Sequence, residues 1–216
     1  MKQYPEMQNA SKAPRKPCYG FVKYDGSNLR FEWSKKKGWH KTGTRKLMID
    51  ETHPGFGPAI PMFKQKYGDD LEKVFKKDKL FKGVDRVVVF CEWFGAKSFA
   101  GQHEENDPKT IILFDVNPMK KGMLGPKEFI DTFGHLEIAE MIYQGNLNDQ
   151  LITEVRASNF DFLNFRSKYP ITTEIPEGII CKGDKGHDLW MCKIKTQNYY
   201  DELKKRHPVD WEEFWE

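Results

Sequence analysis

The sequence predicts an α+β fold whose sheets are largely antiparallel, and three observations carry that expectation. Short runs rich in β-branched and aromatic residues recur along the chain, each bounded by Gly, Pro or Asp. One run, NLRFEW, alternates strictly: Leu29, Phe31 and Trp33 face one way and Asn28, Arg30 and Glu32 the other, the period of a half-buried strand. Longer segments between the runs have the apolar spacing of helices, and hairpin-linked strands with intervening helices imply this fold class.

The elements follow in order. CYGFVK at 18–23 reads as a strand ending on Lys23, before a tight acidic turn at Asp25 and Gly26 that feeds the alternating strand. A helix is expected over roughly 58–80, then strands over 85–95 (DRVVVFCEWFG) and 110–116 (TIILFDV). Pro126 opens a helix expected over 126–144, with Phe129, Ile130 and Phe133 on its apolar side, and another is expected over 147–159. Strands follow at 178–183 (GIICKG) and 189–195 (LWMCKIK). The tail, 196–216, is expected to form a short amphipathic helix and then to pack Trp211, Phe214 and Trp215 back onto the domain.

Composition bounds the function. A chain of 216 residues supports one substantial core, and sixteen Phe, eight Tyr and six Trp supply the buried surface for it. Thirty-five Lys and Arg against thirty-two Asp and Glu leave a formal charge of +3, too small for a protein that simply coats nucleic acid, so any basic surface must be local. The four cysteines show no two-residue spacing of a zinc or redox site, and the six histidines no metal spacing, so the thiols read as reduced and buried in a cytosolic protein. No run approaches the roughly 20 apolar residues of a membrane span, and the polar N-terminus lacks a signal-peptide core. These features predict a soluble, cytoplasmic protein with no membrane partner.

Lys23 raises the chemical question. A free lysine has a pKa near 10.4, so at neutral pH about one in a few thousand is a nucleophile; burial and nearby cations both favour the neutral amine. A lysine fixed at a strand end beside a glycine turn is suited to attack a bound substrate. KYDGSN, residues 23–28, resembles the nucleophile motif of the covalent nucleotidyltransferases: the ATP-dependent DNA and RNA ligases and the mRNA capping guanylyltransferases. GTRK with Arg45, FCEWFG with Glu92, ILFDV with Phe114, EGIICK with Glu177, and MCKIK with Lys193 and Lys195 then resemble the remaining motifs in the superfamily's order.

The resemblance implies a nucleotidyltransferase (adenylation) domain in which Lys23 takes AMP from ATP as a phosphoramidate. Attack on the α-phosphate builds negative charge, which Lys193 and Lys195, alternating along one strand, are placed to meet from one face. It also implies that Glu92 accepts a ribose hydroxyl, Phe114 stacks on the base, and Asn28 and Arg45 contact the nucleotide. Glu177 is a carboxylate suited to Mg²⁺ or Mn²⁺.

Asn28, at the end of the first motif, is similar to the phage nick-sealing and editing RNA ligases, where DNA ligases usually carry arginine. The expected activity is therefore that of an ATP-dependent RNA ligase joining 5′-phosphate and 3′-hydroxyl ends through lysyl-AMP. A minimal DNA nick ligase and a non-catalytic nucleic-acid-binding module are the alternatives. Only 21 residues follow Lys195, too few for an oligonucleotide-binding barrel, so the expectation is a single nucleotidyltransferase domain over 1–216, monomeric, with motifs spanning 23–195. RNA or DNA ends, nicked or broken, would then be held by the domain itself. The local candidate is WSKKKGWHKTGTRK, residues 33–46, where Lys35, Lys36, Lys37 and Lys41 would contact phosphates while Trp39, with Trp33 and His40, offers stacking surfaces.

Overall fold

The computed structural model describes residues 1–97, 100, 103–160 and 177–214. It divides into two compact units: Met1–Pro5, Ser27–Trp93 and Thr110–Ile138 form the first, and Glu6–Gly26, Phe94–Lys109 and Ala139–Glu216 the second. Each unit holds one five-stranded sheet, and the fold is α+β with largely antiparallel pairing, as expected.

In the second unit the sheet contains β1 (Gln8–Asn9), β2 (Pro17–Lys23), β8 (Met141–Asn146), β9 (Gly178–Gly183) and β10 (Trp190–Lys195), in the spatial order β1-β10-β9-β2-β8. Only the short β1 runs parallel to its neighbour. One face of the sheet buries Cys18, Ile179, Cys181, Cys192 and Ile194 against α4 (Asp149–Arg156), whose Leu151, Ile152 and Val155 complete a core. Three of the four cysteines, distant in sequence, meet in this core. Hydrogen bonding to Cys181 lowers the Cys18 thiol, while the same bond and one to Cys192 push Cys181 well up.

In the first unit the sheet contains β3 (Gly26–Ser34), β4 (Gly38–Thr44), β5 (Met48–Ile49), β6 (Arg86–Phe94) and β7 (Thr110–Pro118), in the order β5-β4-β3-β6-β7. Leu29, Phe31, Trp33, Val87, Val89, Cys91, Ile111 and Leu113 face a core shared with Phe63, Tyr67, Phe75, Phe129 and Phe133 from the helices. Phe31 stacks on Phe63 with centroids 3.7 Å apart. The helical run expected over 58–80 is present but interrupted: α1 (Ala59–Phe63) passes through a π-helical turn (Lys64–Gly68) into α2 (Asp69–Lys77). Asp69, Asp70 and Glu72 in the first turn of α2, and Lys76 and Lys77 in its last, oppose the helix dipole.

Three expectations are corrected. The helix over 126–144 stops early. α3 (Pro126–Phe133) is closed at its start by Glu128 accepting from the Gly125 N–H at 3.2 Å, but 141–146 is strand β8, paired antiparallel with β2. The open edge of β2 claims this segment, a non-local pairing that helical spacing cannot register. β3 is not half-buried either, since Arg30 and Glu32 are 4% and 1% exposed. Arg30 donates to the carbonyls of Thr44, Met1 and Lys2, so the first residues of the chain cover the face expected to meet solvent. Trp33 is 1% exposed and packs beside Phe75, so stacking on a nucleic-acid base is not open to it. Of the expected tail, α5 (Gln197–Arg206) is present and Trp211 lies against the ring-facing amine of Lys204, while Trp215 and the side chain of Phe214 lie outside the described residues.

Candidate active site

Lys23 ends β2, and Gly26 begins β3 in the other sheet, so the Asp-Gly segment is a link between sheets and not a hairpin turn. It is anchored on both sides. Tyr24 stacks on Phe94 at 4.6 Å, and buried Asp25 accepts from the Ala100 N–H at 3.0 Å. The strand end carrying Lys23 is thereby held by packing rather than left to a surface loop.

The ladder registers explain how one sheet face gathers lysines. Lys23 lies opposite Gly178, which lies opposite Lys195; Ile180 lies opposite Lys193. Residues directly opposite in antiparallel strands share a face, so Lys23, Lys193 and Lys195 project together, away from the face that buries Cys181 and Ile194. Lys182, opposite Tyr19 and Met191, has the same parity. It is 3% exposed, with its amine 5.0 Å from the Phe21 ring centroid. The sequence analysis gave Lys182 no role, although counting alternate positions from Gly178 would have placed it on this face.

Glu177 immediately precedes the central strand. Its Oε2 is 2.5 Å from Lys23 Nζ and its Oε1 3.4 Å from Lys195 Nζ, with all three side chains under a fifth exposed. Thr196 caps α5 by accepting from the Tyr199 N–H, and this places the Tyr199 ring 4.9 Å from Lys195 Nζ. Burial raises the Tyr199 hydroxyl far above its ordinary range, with the nearby Glu177 charge second, so it stays protonated. Burial also lowers the Lys195 ammonium, assisted by Lys23 and Lys193 and opposed by Glu177. The residues expected to serve the phosphates are therefore brought together, with Tyr199 as a neighbour that sequence reasoning missed. Its signal was its position one turn into a Thr-capped helix directly after Lys195.

Gly178 is required by this arrangement. A Cβ there would collide with the Ile194 carbonyl oxygen and lie 2.9 Å from Lys195 Cα. Gly178→Ala must spread β9 from β10, shifting Glu177 and Lys195 relative to Lys23. The expected result is loss of melting temperature, together with at least a tenfold drop in any lysine-dependent reaction, since misplacement of about 1 Å costs on the order of 100-fold.

The remaining candidates lie in the first unit. Alternation along β3, β6 and β7 puts Asn28, Glu92 and Phe114 on the sheet face opposite the helix-packed core. Asn28 Oδ1 is buried and has no hydrogen-bond partner among the described residues, an acceptor suited to a ligand donor. Phe114 is 9% exposed, with the Tyr4 ring edge-on at 5.2 Å. Tyr4 donates to buried Asp115 at 2.5 Å, and burial, followed by the Asp115 and Glu92 charges, holds its hydroxyl well above the usual range. Arg45 is exposed on the turn after β4, and its carbonyl accepts from Gln3 Nε2.

Lys35, Lys36 and Lys37 form the exposed turn between β3 and β4, where Lys35 lies 3.7 Å from Asp85. Lys41 lies 3.5 Å from buried Glu32, with the His40 ring at 3.3 Å. Trp39 is half-buried: its N–H donates to the Gly68 carbonyl, and its ring meets Phe63 edge-on.

The donor set bears on a metal. No group of three or more His, Cys, Asp or Glu side chains placed to hold an ion occurs among the described residues, and both Glu177 oxygens face ammonium groups. Mg²⁺ is usually bound through one or two carboxylates together with substrate phosphates and water and needs no all-protein cage, and Glu177 would have to exchange an ammonium partner to bind such an ion.

Two largely antiparallel sheets, with a half-buried lysine ending one strand and two alternating lysines on the strand beyond its neighbour, fit the nucleotidyltransferase fold expected from the motif order. The chain belongs to the RNA ligase family, whose model matches residues 16–195. Among solved structures it resembles Naegleria gruberi RNA ligase. A variant described with ATP and Mn has a TM-score of 0.65 at 14% identity, covering 95% of this chain and 59% of that one. An apo variant gives 0.63 at 12% identity, covering 95% and 58%. A third variant, with AMP and Mn, gives 0.60 at 14% identity, covering 92% and 57%. The chain thus spans a little under three fifths of the length of these ligase chains. No curated protein matches it. No helix among the described residues is long and apolar enough to cross a membrane.

Proposed function

We propose that the protein is an ATP-dependent RNA ligase that joins 5′-phosphate to 3′-hydroxyl ends through AMP carried on Lys23. The observation that carries this reading is the convergence of Lys23, Glu177 and Lys195 within ion-pair distance on one sheet face. The ion pair with Glu177 fixes the Lys23 amine in place while the neighbouring lysines work against its proton, and pure nucleic-acid binding requires no such cluster.

Lys23 Nζ attacks the α-phosphorus of ATP; the new N–P bond forms as the bond to pyrophosphate breaks, and the amine proton leaves to solvent. AMP then passes to a 5′-phosphate end, and a 3′-hydroxyl displaces it to seal the strand. Lys193 and Lys195 stabilise charge on the phosphoryl oxygens. The roles of Asn28, Arg45, Glu92 and Phe114 toward the nucleotide rest on the family resemblance. The similarity to the Naegleria gruberi RNA ligase variant described with ATP and Mn supports the nucleotide and a divalent cation, which Glu177 would help hold and whose charge would offset that of the phosphates.

RNA is favoured over DNA by the family match, and the protein is read as monomeric and intracellular, with Lys35, Lys36, Lys37, Trp39 and Lys41 on the strand path. The deciding experiment is joining of matched nicked duplexes carrying RNA or DNA at the 3′-hydroxyl side. Sealing of RNA nicks alone or preferentially is expected, and preferential DNA sealing would overturn the substrate assignment. Replacing Lys35, Lys36 and Lys37 with alanine should weaken strand binding and flatten its salt dependence by about 0.9 in logarithmic slope per lost duplex phosphate contact, with AMP transfer to Lys23 nearly unchanged. An unaltered salt response would place the strand elsewhere.

A further inference from the structure

The sheet of the first unit has an unfinished edge. β4 runs from Gly38 to Thr44, yet β5 pairs with it only through Thr42 opposite Ile49 and Gly43 opposite Met48. Thr44 donates its N–H outward to the Leu47 carbonyl at 2.8 Å. Glu32 lies opposite Lys41 and Trp33 opposite Trp39, so the ladder is bulged at His40, and Trp39 and His40 sit at this bulge beyond the two residues that β5 pairs. Beside them opens a pocket of about 430 Å³, bounded by β4, the Asp50–Thr52 segment and α1. Lys23, Glu92, Phe114 and Glu177 do not line it.

Its chemistry suits a flat heteroaromatic group. Trp39, Met48 and Ile49 give an apolar wall, His40 and Lys41 also line the pocket, and Asp50, which accepts from the Thr52 N–H and hydroxyl, adds a carboxylate. The volume falls in the range of about 300–1,000 Å³ usual for small-molecule sites. Charge identifies what the flat group is attached to. Residues 35–46 carry six Lys and Arg and no carboxylate, which selects a polyanion. Lys64 on the rim pairs with Glu51 at 2.8 Å, but both are half exposed, so a phosphate can replace that carboxylate at little cost.

We propose that this pocket takes one unpaired nucleobase of the RNA strand whose phosphates run along the 35–37 turn and Lys41. The inference rests on the strand-binding part of the reading above and adds to it a defined base subsite outside the adenylylation centre. It implies preference for strands with at least one unstacked base near the joined end, because a base held in a duplex cannot enter without unpairing.

The test uses a short single-stranded RNA carrying one photoreactive halogenated uridine. Binding is followed by anisotropy, and the crosslinked residue is mapped by mass spectrometry. Wild type should crosslink at Trp39, His40 or Met48. Met48→Glu, at a residue 54% exposed and outside the buried core, should weaken binding roughly tenfold, near the low end of what one stacked base contributes, and should lose the crosslink. Met48→Leu should retain both, with melting curves showing that both variants fold.

Crosslinks confined to other residues, wild-type affinity in Met48→Glu, or absence of strand binding by the wild type would each overturn the pocket. Concentration-dependent self-association abolished by Met48→Glu, without a strand crosslink, would assign the edge to a second copy of the chain and also overturn it. AMP transfer to Lys23 is measured without any strand, so failure of the pocket and failure of the ligase chemistry are read separately.

Discussion

Incubation with α-labelled ATP and Mg²⁺ or Mn²⁺ should leave one AMP on the intact wild-type protein and none on Lys23→Ala or Lys23→Arg. The expected effect is complete because the nucleophile itself is removed. Arginine stays protonated at any accessible pH, so restoring the charge does not restore attack. The two substitutions also separate chemistry from folding. Lys23 is paired with Glu177 at 2.5 Å, and the alanine variant leaves that carboxylate, 5% exposed, with Lys195 as its remaining ion-pair partner. Removing one member of a buried pair is destabilising, less so here because Lys195 still faces the carboxylate, so Lys23→Ala should melt at a lower temperature than wild type. Lys23→Arg keeps a cation there and should recover much of that stability while remaining unlabelled. Label that survives in Lys23→Ala would sink the covalent mechanism, and preferential labelling by GTP would point instead to a capping enzyme.

What the sequence made legible, and what it did not, follows the range of the interactions. The strands at 86–94, 110–118, 178–183 and 190–195 lie close to their expected bounds because β-branched runs between Gly, Pro and Asp are local signals. β8 was hidden because its reason for being a strand is the edge of β2, more than a hundred residues earlier. Arg30 and Glu32 looked solvent-facing because nothing in NLRFEW reports that Met1 and Lys2 return to cover Arg30 or that His40 and Lys41 lie against Glu32. The candidate site divides in the same way. Lys23, Lys193 and Lys195 were legible from motif order and period-2 spacing, whereas Lys182 and Tyr199 were not singled out. Neither their burial nor their contacts with Phe21 and Lys195 can be read from residue type. The meeting of Cys18, Cys181 and Cys192 is likewise a product of strand register alone.

The paired lysines of β10 give the second large effect, and its pH dependence separates two roles. The Lys193 and Lys195 cations both disfavour an ammonium on Lys23. Lys195 also shares the Glu177 carboxylate, so in Lys195→Met that carboxylate faces Lys23 with less competition and holds its proton more firmly. Both changes raise the pKa of Lys23, and the rate profile for lysine adenylylation should move toward higher pH. If the lysines instead serve chiefly to stabilise charge on the phosphoryl oxygens, the rate falls at every pH, by about 100-fold or more for loss of one well-placed group. We expect both effects in Lys193→Met and Lys195→Met, with the uniform loss the larger. Stability carries a separate pH signature in Lys195→Met. Burial holds the Lys195 ammonium below its unfolded value, so the folded state is penalised wherever the unfolded chain keeps that proton, and stability rises with pH from the folded Lys195 pKa toward about 10.4. Methionine removes the titrating group and should flatten that rise. Single-turnover adenylylation from neutral to alkaline pH, paired with melting curves, reads all three quantities. Folded variants with wild-type rates and profiles would show that Lys193 and Lys195 only guard a strand, and the phosphate-facing role of this sheet face would fall with them.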